Sequence, residues 1–378
     1  MKNSIKLLSI AFLFGAFFAS CEGPEGPAGE DGVDGVNGID GEPGTATCFT
    51  CHNDAQKVAI EAQFASSQHY AGDIAVAYAG ARSSCAECHS HEGFVEWAST
   101  GEVAANISAP SAWECATCHD LHVNMDSTDW ALRANDAVTL AGGSTFDSGN
   151  NNLCANCHQA RRTDADFDDS GLIDETFTGD DYADMAAAAN AGEIAWGPTG
   201  GIKDDNGTDT ITITYDVASG YKYINSTHAG PHHGPQANML VGVGAAGGVT
   251  GDTYGPHSGG CVTCHMDGTD HSFEPKSATC EACHNDGTDK QSDMDAVYDR
   301  LVLIANALEA IHAVHIDATW ESGDPLFGAV HPMLASLPTD EFQAWWNFMY
   351  MMEDRSLSAH NPTLFEDMLT ECETTLGL

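Results

Sequence analysis

Hydrophobic and polar positions follow three patterns along the chain. An unbroken apolar run from Leu7 to Ala19 lies near the start and is too short to span a bilayer. Apolar and polar residues alternate at 211–215 and 221–224, and the intervening Gly220 segment predicts a small β-hairpin. Towards the C-terminus, apolar residues recur at helical spacing. We therefore predict a mostly α-helical fold with much irregular coil, one small hairpin and C-terminal helices.

The C-terminal pattern predicts three helices. Ser292 can N-cap the first helix, whose apolar stripe runs from Val297 to His315. The second helix begins at Thr339, and its aromatic and methionine residues are interpreted as core. The third follows Pro362, a residue suited to the first helical turn.

The N-terminal apolar run has the features of an export signal. Lys2 and Lys6 precede the hydrophobic residues, and Phe18-Ala19-Ser20-Cys21 ends the run. This ending resembles the lipobox of bacterial lipoproteins, which implies that Cys21 is the lipidated first residue of the mature chain. An ordinary signal peptide with an unrelated cysteine is the alternative. A lipidated chain is anchored to a membrane and does not span it.

A collagen-like repeat follows, with glycine at every third position from Gly23 to Gly44. The repeat is short and acidic. It therefore predicts an extended, self-repelling tether that reaches about 70 Å at about 3.1 Å per residue. A trimeric triple helix is the alternative.

Composition narrows the choice of partners. Lys and Arg number 13 against 56 Asp and Glu, which gives a formal net charge of −43 over 378 residues. So acidic a chain repels phosphate backbones, and we expect no nucleic-acid partner. The 14 cysteines and 18 histidines are the unusual feature. Disulfides are the default interpretation of an exported cysteine-rich chain.

The spacing of the cysteines points elsewhere. Six copies of Cys-x-x-Cys-His leave only Cys21 and Cys372 unused. This pentapeptide is the attachment signature of c-type haem, in which two thiols bond the porphyrin and the histidine ligates iron. Structural zinc and a redox dithiol are the alternatives, but neither explains a histidine after every second cysteine. The predicted attachment residues are Cys48, Cys51, Cys85, Cys88, Cys115, Cys118, Cys154, Cys157, Cys261, Cys264, Cys280 and Cys283. The predicted proximal ligands are His52, His89, His119, His158, His265 and His284.

The other histidines are numerous enough to give every iron a second imidazole. The region from Cys48 to His284 resembles the multihaem c-type cytochromes of bacterial outer-surface electron transfer, which include filament-forming members. Cys118-His119-Asp120-Leu121-His122 is similar to their Cys-His-Asp-Pro-His segments, and Gly230-Pro231-His232-His233 is similar to their paired-histidine segment. The resemblance implies these distal ligands: His69, His122, His232, His233, His257 and His271. The reserves are His228, His360 and His315, whereas His91 is expected to face solvent or to support a neighbouring ligand.

The tail resembles the C-terminal helices of pentahaem nitrite reductase relatives. The shared residues are Trp346-Asn347, Asp354, Ser356 and His360-Asn361-Pro362. Those reductases typically keep one haem with lysine in place of the motif histidine and an open distal site. All six motifs here end in histidine, so we expect an electron-transfer protein and not an enzyme. Reduction of nitrite, hydroxylamine or a sulfur oxyanion at one open haem is the alternative.

Residues 166–174 are similar to the first part of an EF-hand loop, with acids at loop positions 1, 3 and 9 and glycine at position 6. This pattern predicts a calcium site, and an acidic solvated loop is the alternative. The candidate calcium ligands are Asp166, Asp168, Ser170 and Asp174.

Together these features predict a fold organised around six c-type haems, with segments of distinct roles. The protein is expected at the outer membrane or cell surface, facing outward or towards the periplasm. Its expected partners are other redox proteins or extracellular electron acceptors, and a homo-oligomer or filament is an open alternative. The predicted segments are a signal peptide (1–20), a lipidated collagen-like tether (21–47), a region with four haems (48–160), an insert (161–260), a region with two haems (261–290) and a C-terminal helical region (291–378).

Overall fold

The chain divides into two units, Met1–Thr45 and Ala46–Leu378, and all described residues belong to the second. No helix in the described part is long and apolar enough to cross a membrane. The finer division into segments stays a prediction. The computed structural model describes residues 54–123, 130–167, 171–178, 201–205, 210–217, 219–226, 228–232, 234–253, 257, 259–267, 269–284, 290–316 and 330–378.

Helices hold many more of the described residues than strands do, which confirms a mostly α-helical fold. Short helices carry the cysteine motifs, and longer helices form the C-terminal part. The helices are α1 (Asp54–Ala65), α2 (Gln68–Ala71), α3 (Asp73–Ala79), α4 (Ser83–His89), α5 (His91–Thr100), α6 (Cys115–Cys118), α7 (Asn152–Ala155), α8 (Gln236–Val241), α9 (Gly260–His265), α10 (Ser277–Glu281), α11 (Lys290–Ala310), α12 (Thr339–Asp354) and α13 (Pro362–Leu376), with 3-10 turns at Gly149–Asn151 and Asp164–Asp166.

The described strands form small antiparallel sheets. β1 pairs with β2, β5 lies between β3 and β4, β6 pairs with β9, and β7 pairs with β8. The strands are β1 (Val138–Thr139), β2 (Thr145–Phe146), β3 (Gly171–Thr178), β4 (Gly201–Asp205), β5 (Thr210–Val217), β6 (Tyr221–Ile224), β7 (Val314–Ile316), β8 (Val330–Pro332) and β9 (Ala335–Pro338).

The predicted hairpin in the insert is wrong, although both of its segments are strands. β5 pairs with β3 and β4, whereas β6 pairs with β9 from the C-terminal region. Burial explains the choice. Tyr223 and Ile224 of β6 are fully buried, and their pairing with Ser336 and Ala335 adds the strand to the C-terminal core. Burying two large side chains outweighs the short connection that favoured a local hairpin.

The predicted tail helices agree with α11, α12 and α13 with one correction. Residues Thr339 and Pro362 begin α12 and α13 as expected. The first helix, however, starts at Lys290, so that Ser292 lies inside it and is not its cap. It ends at Ala310, before His315. His312 has a positive φ of 57°, a left-handed conformation that stops a helix, and His315 then belongs to β7.

A large hydrophobic core lies where the C-terminal helices meet β6 and β9. Most of α12 is buried, including the fully buried rings of Phe342, Trp345 and Trp346. A helix that is apolar on every side belongs in the middle of a core. A smaller described cluster forms around Phe146, where Val138, Leu140 and Leu240 pack together.

The segment that carries the second and third cysteine motifs has a different interior. Among the residues described between 57 and 123, the buried hydrophobic side chains are Ala79, Ala86 and Phe94. Close packing of the backbone, in place of a hydrophobic core, holds this segment together. A Cβ atom on Gly93 would lie 2.3 Å from the Ala86 carbonyl oxygen, so only glycine allows α5 to pack this closely on α4.

Candidate haem-binding site

Each described Cys-x-x-Cys-His motif overlaps a short helix and makes about one helical turn. The backbone N–H groups of His119, His158 and His284 donate to the carbonyl oxygen of the first cysteine in their motifs, at 3.0, 2.9 and 2.8 Å. Helix positions i, i+3 and i+4 share one face. Two thiols and an imidazole therefore leave each turn on the same side, which is the arrangement that covalent attachment and iron ligation require together.

Each of the five described motif histidines lies against a second histidine ring that belongs to no motif. Two imidazoles on one metal ion have ring centroids roughly 6.3 Å apart, since each metal–nitrogen bond is about 2.0 Å long. The observed interplanar angles run from 37° to 78°, and ring rotation about the metal–nitrogen axis permits any such angle. The centroid distances are 6.0 Å for His69–His158, 6.1 Å for His89–His232, 6.4 Å for His119–His271, 6.1 Å for His257–His284 and 6.3 Å for His265–His360.

Hydrogen bonds fix which ring nitrogen can reach a metal. The Nδ1 atoms of His119, His265 and His271 donate to the backbone carbonyls of Trp130, Phe273 and Thr269, at 2.9, 2.8 and 2.8 Å. A carbonyl oxygen only accepts, so Nδ1 carries the proton in these rings. Nε2 is then the nitrogen with a lone pair to offer. A ligating imidazole held by such a bond at its other nitrogen is the usual arrangement in metalloproteins.

Burial keeps these rings in the neutral form that ligates metals. Together with the neighbouring His158 and His265, burial lowers the pKa of His69 to about 4. Burial also lowers the pKa of His158 and of His265 itself. Neutral imidazole is the form that binds iron. The rings therefore present ligand lone pairs at neutral pH.

A structural zinc site is not supported by the described residues. They contain no group of three or more cysteine, histidine or acidic side chains that could hold a metal ion together. Structural zinc takes four such ligands in a tetrahedron. The described motif cysteines are also free of disulfides. Paired thiols beside paired imidazoles fit a haem better than either alternative.

The motifs lie next to one another in space. The Cys88 thiol donates to the Asn156 carbonyl at 3.7 Å, which joins the second motif to the fourth. The Cys154 thiol lies near enough to Cys261 to raise the pKa of Cys261, so the fourth motif lies near the fifth. Burial raises the pKa of Cys118 to about 12, with a further contribution from Cys154, so the third motif also lies near the fourth.

Asn151 fixes the contact between the fourth and fifth motifs. Its side chain accepts from the Val262 backbone N–H at 2.8 Å and donates to the Ser148 carbonyl at 2.7 Å. The amide packs where a Cβ atom of Gly260 would otherwise lie, 2.7 Å from its nitrogen. Gly260 has a φ of 66°, which glycine adopts without strain. One buried amide therefore positions the helix of Cys261 against the turn that leads to Cys154.

Four of the six predicted distal histidines each lie beside a motif histidine: His69, His232, His257 and His271. His360, expected only as a reserve, is the partner of His265. Its signal in the sequence was the tail resemblance that includes Asp354 and His360. His91 instead bonds Thr117 Oγ1 at 2.7 Å, supporting the helix of the third motif.

The other predicted ligands are His122, which is described, and residues that the structure does not describe. His122 is described and exposed, with a φ of 60°, whereas His52, His233 and the attachment residues Cys48 and Cys51 lie outside the described residues. Their roles stay predictions. The lipidation residue Cys21 also lies outside the described residues.

The calcium site stays a prediction as well. Asp166 Oδ2 accepts from the Thr163 backbone N–H at 2.7 Å, which caps a 3-10 turn. Asp168 and Ser170 lie outside the described residues, and Asp174 belongs to β3, where it pairs with Thr214.

Comparison with known proteins gives one distant likeness. No protein-family model matches the chain, and no match was found among curated proteins. Among solved structures, the chain is similar to the crystal structure of an outer cell wall cytochrome, OcwA, at 16% identity and a TM-score of 0.45. The alignment covers 83% of this chain and 49% of that one, so the chain spans about half of its length.

Proposed function

We propose that this protein is a hexahaem c-type cytochrome that relays electrons through bis-histidine haems in series. The observation that carries the proposal is the second imidazole beside each of the five described motif histidines, at the spacing of two ligands on one metal ion. When bound, haem iron supplies reversible one-electron exchange. The chain supplies two thioether attachments and two imidazoles for each iron.

The proximity of thiols from different motifs supports transfer from one haem to the next, because haems attached at neighbouring thiols would lie close together. Cys88 and Cys157 lie near enough to shift each other's pKa, and so do Cys154 and Cys261. Cys264 lies near enough to Cys280 for the two thiols to interact electrostatically. The proposed path therefore runs through the second, fourth, fifth and sixth motifs, and the third joins at the fourth.

Ligand type supports relay over catalysis. If both imidazoles of a pair held one iron, they would leave no place on it for a substrate. Five of the six motifs have such a pair, so the open iron of a nitrite, hydroxylamine or sulfur oxyanion reductase would have to be at the first motif, between Cys48 and His52. For that motif, His122 and His233 remain the predicted distal candidates. Paired imidazoles also favour low potentials, because they lack the methionine sulfur that raises them.

The proposed location rests on the N-terminal sequence. Lipid on Cys21 would anchor the chain at the outer membrane or cell surface, and the collagen-like repeat would act as its tether. There the haems would exchange electrons with other redox proteins or with extracellular acceptors. Replacing Cys21 with Ser should release the protein from the membrane fraction and abolish fatty-acid labelling. Membrane retention by the C21S protein would contradict the anchor.

Counting porphyrins tests the central proposal. Intact mass and a pyridine haemochrome assay should both give six haems for each mature chain, and EPR should show low-spin iron. A colourless protein, or one that contains zinc, would end the proposal. A high-spin signal that responds to nitrite would favour the reductase.

Single substitutions test the individual pairs. His232→Ala should convert one haem to the high-spin state without changing the number of porphyrins, because His89 still ligates that iron. His331→Ala is the matched control, since His331 is exposed in β8 and pairs with His315 across two short strands. Its spectrum should equal that of the wild type. An unchanged H232A spectrum would remove this ligand from the proposal.

A further inference from the structure

One ring of the five pairs has an unusual hydrogen-bond partner. Nδ1 of His360 donates to the Asp354 carboxylate at 2.7 Å, and that carboxylate is fully buried. Its second oxygen accepts from the hydroxyl of Ser356. The backbone carbonyl of Asp354 accepts from Gln236 Nε2 at 3.1 Å, which holds the end of α12 in place. The carboxylate is thus fixed against Nδ1 of the His360 ring.

Four other rings in these pairs have hydrogen-bond acceptors that carry no charge. His119, His265 and His271 donate to backbone carbonyls, and His158 lies 3.3 Å from the side-chain oxygen of Gln236. His360 instead donates to a carboxylate that is fully buried. A buried carboxylate therefore changes the electronic character of this one ring.

We propose that Asp354 is a positioning residue that lowers the reduction potential of the haem attached at Cys261 and Cys264. This inference rests on the proposed function. A carboxylate behind an axial imidazole increases the basicity of the ligand and favours the more positively charged iron. The buried negative charge acts in the same direction, because the low dielectric of the interior screens it little. Both effects stabilise the ferric state over the ferrous state.

The site has a consequence for the proposed path. The fifth motif lies between the fourth and the sixth, next to Cys154 on one side and near Cys280 on the other. A low-potential haem there would divide the path into two parts. Electrons would occupy the haems on either side of it, and transfer through it would require a driving force.

Potentiometric titration of the holoprotein, followed by absorbance and EPR, tests the inference. Asp354→Asn keeps an oxygen that can accept from Nδ1 but removes the charge. We expect the reduction potential of one haem to rise by at least about 59 mV, which is a tenfold shift of its one-electron equilibrium towards the reduced state. The other haems should keep their potentials. Asp367→Asn is the matched control, because it removes the same charge from an exposed position on α13. It should shift no haem.

Two further variants separate charge from structure. Ser356→Ala removes a hydrogen-bond donor from the carboxylate and should lower the same reduction potential or leave it unchanged. A general loss of packing would instead shift this potential in the same direction in D354N and S356A. His360→Met should raise the same potential and confirm the ligand. No shift in D354N, or an equal shift of every haem, would overturn the inference. A wild-type chain with six haems separates that result from failure of the proposed function, which would show as missing porphyrins.

Discussion

The motif segment (residues 54–123) and the C-terminal helices α11, α12 and α13 are held together in different ways. In the helices, large apolar side chains pack around Trp345 and Trp346, and the core is complete without any added group. In the motif segment, few apolar side chains are buried, and the imidazoles and thiols are partly or fully exposed. A segment with so little core needs covalent staples or a bound group to stay folded.

The difference indicates that the two regions have different structural roles. The C-terminal helices form a conventional core that fixes Asp354 and His360 from outside the motifs. Under the proposed function, the motif segment would depend on groups attached to its own cysteines. Porphyrins on its two motifs would supply the apolar surface that its sequence lacks.

The largest expected effect comes from withholding haem. The full chain expressed without haem attachment should keep slow hydrogen exchange in α12 and α13, because their core contains only side chains. Residues 54–123 should exchange rapidly. Hydrogen-exchange mass spectrometry of the haem-free and holo proteins measures both regions in one experiment. Equal protection of residues 54–123 in the two proteins would contradict the comparison.

A smaller effect is expected from two neighbouring tryptophans in the core. Trp346 Nε1 donates to the Gly244 carbonyl at 2.8 Å, whereas Trp345 Nε1 is buried without an acceptor. Both rings are fully buried, so replacement by Phe removes similar volume from each. Trp346→Phe should lower the free energy of unfolding by about 1–3 kcal/mol more than Trp345→Phe, since it leaves a buried carbonyl unsatisfied. Denaturant unfolding of both variants measures the difference.

The two tryptophan variants also test whether the C-terminal core and the motifs are structurally independent. Neither tryptophan contacts a motif in the proposed scheme, so both variants should keep the wild-type haem spectrum. Equal stability losses would mean that the hydrogen bond to Gly244 contributes little. A changed haem spectrum would mean that the core and the motifs are coupled through residues other than Asp354 and His360.

Much of the site could be predicted from sequence because covalent chemistry fixes local spacing. Each described Cys-x-x-Cys-His motif makes about one helical turn, so the motif histidines could be predicted without knowledge of the fold. Their partners depend on distant contacts. His69 and His232 could be chosen by resemblance, but His360 reaches His265 only because α12 ends beside α9, which no local pattern records.

The same reasoning explains the corrections to the fold. Periodicity predicted α12 and α13 well, because each has a strong apolar pattern and a clear start. The hairpin failed because β6 has a better partner in β9, more than 100 residues later. The end of α11 was misjudged because the left-handed residue His312 is not a glycine, the usual sequence signal for such a stop.

The smallest expected effect concerns charge between the C-terminal helices. Arg300 on α11 donates to both carboxylate oxygens of Glu373 on α13, at 2.7 and 2.9 Å. This bond lowers the pKa of Glu373. The folded state therefore gains stability above the ordinary pKa of glutamate and loses it as the pH falls through the lowered value. Arg300→Met should cost at most about 1 kcal/mol at neutral pH, because the pair is partly exposed.

Unfolding at several pH values separates this charge effect from packing. The deficit of Arg300→Met should shrink as the pH falls from 7 towards about 3, where glutamate is protonated in both states. Glu373→Gln should show the same trend, and the double variant should cost less than the sum of the single variants. A deficit that stays constant down to acid pH would assign the stabilisation to the aliphatic part of Arg300. In that case apolar contact would account for the stability of the C-terminal helices even at their most charged position.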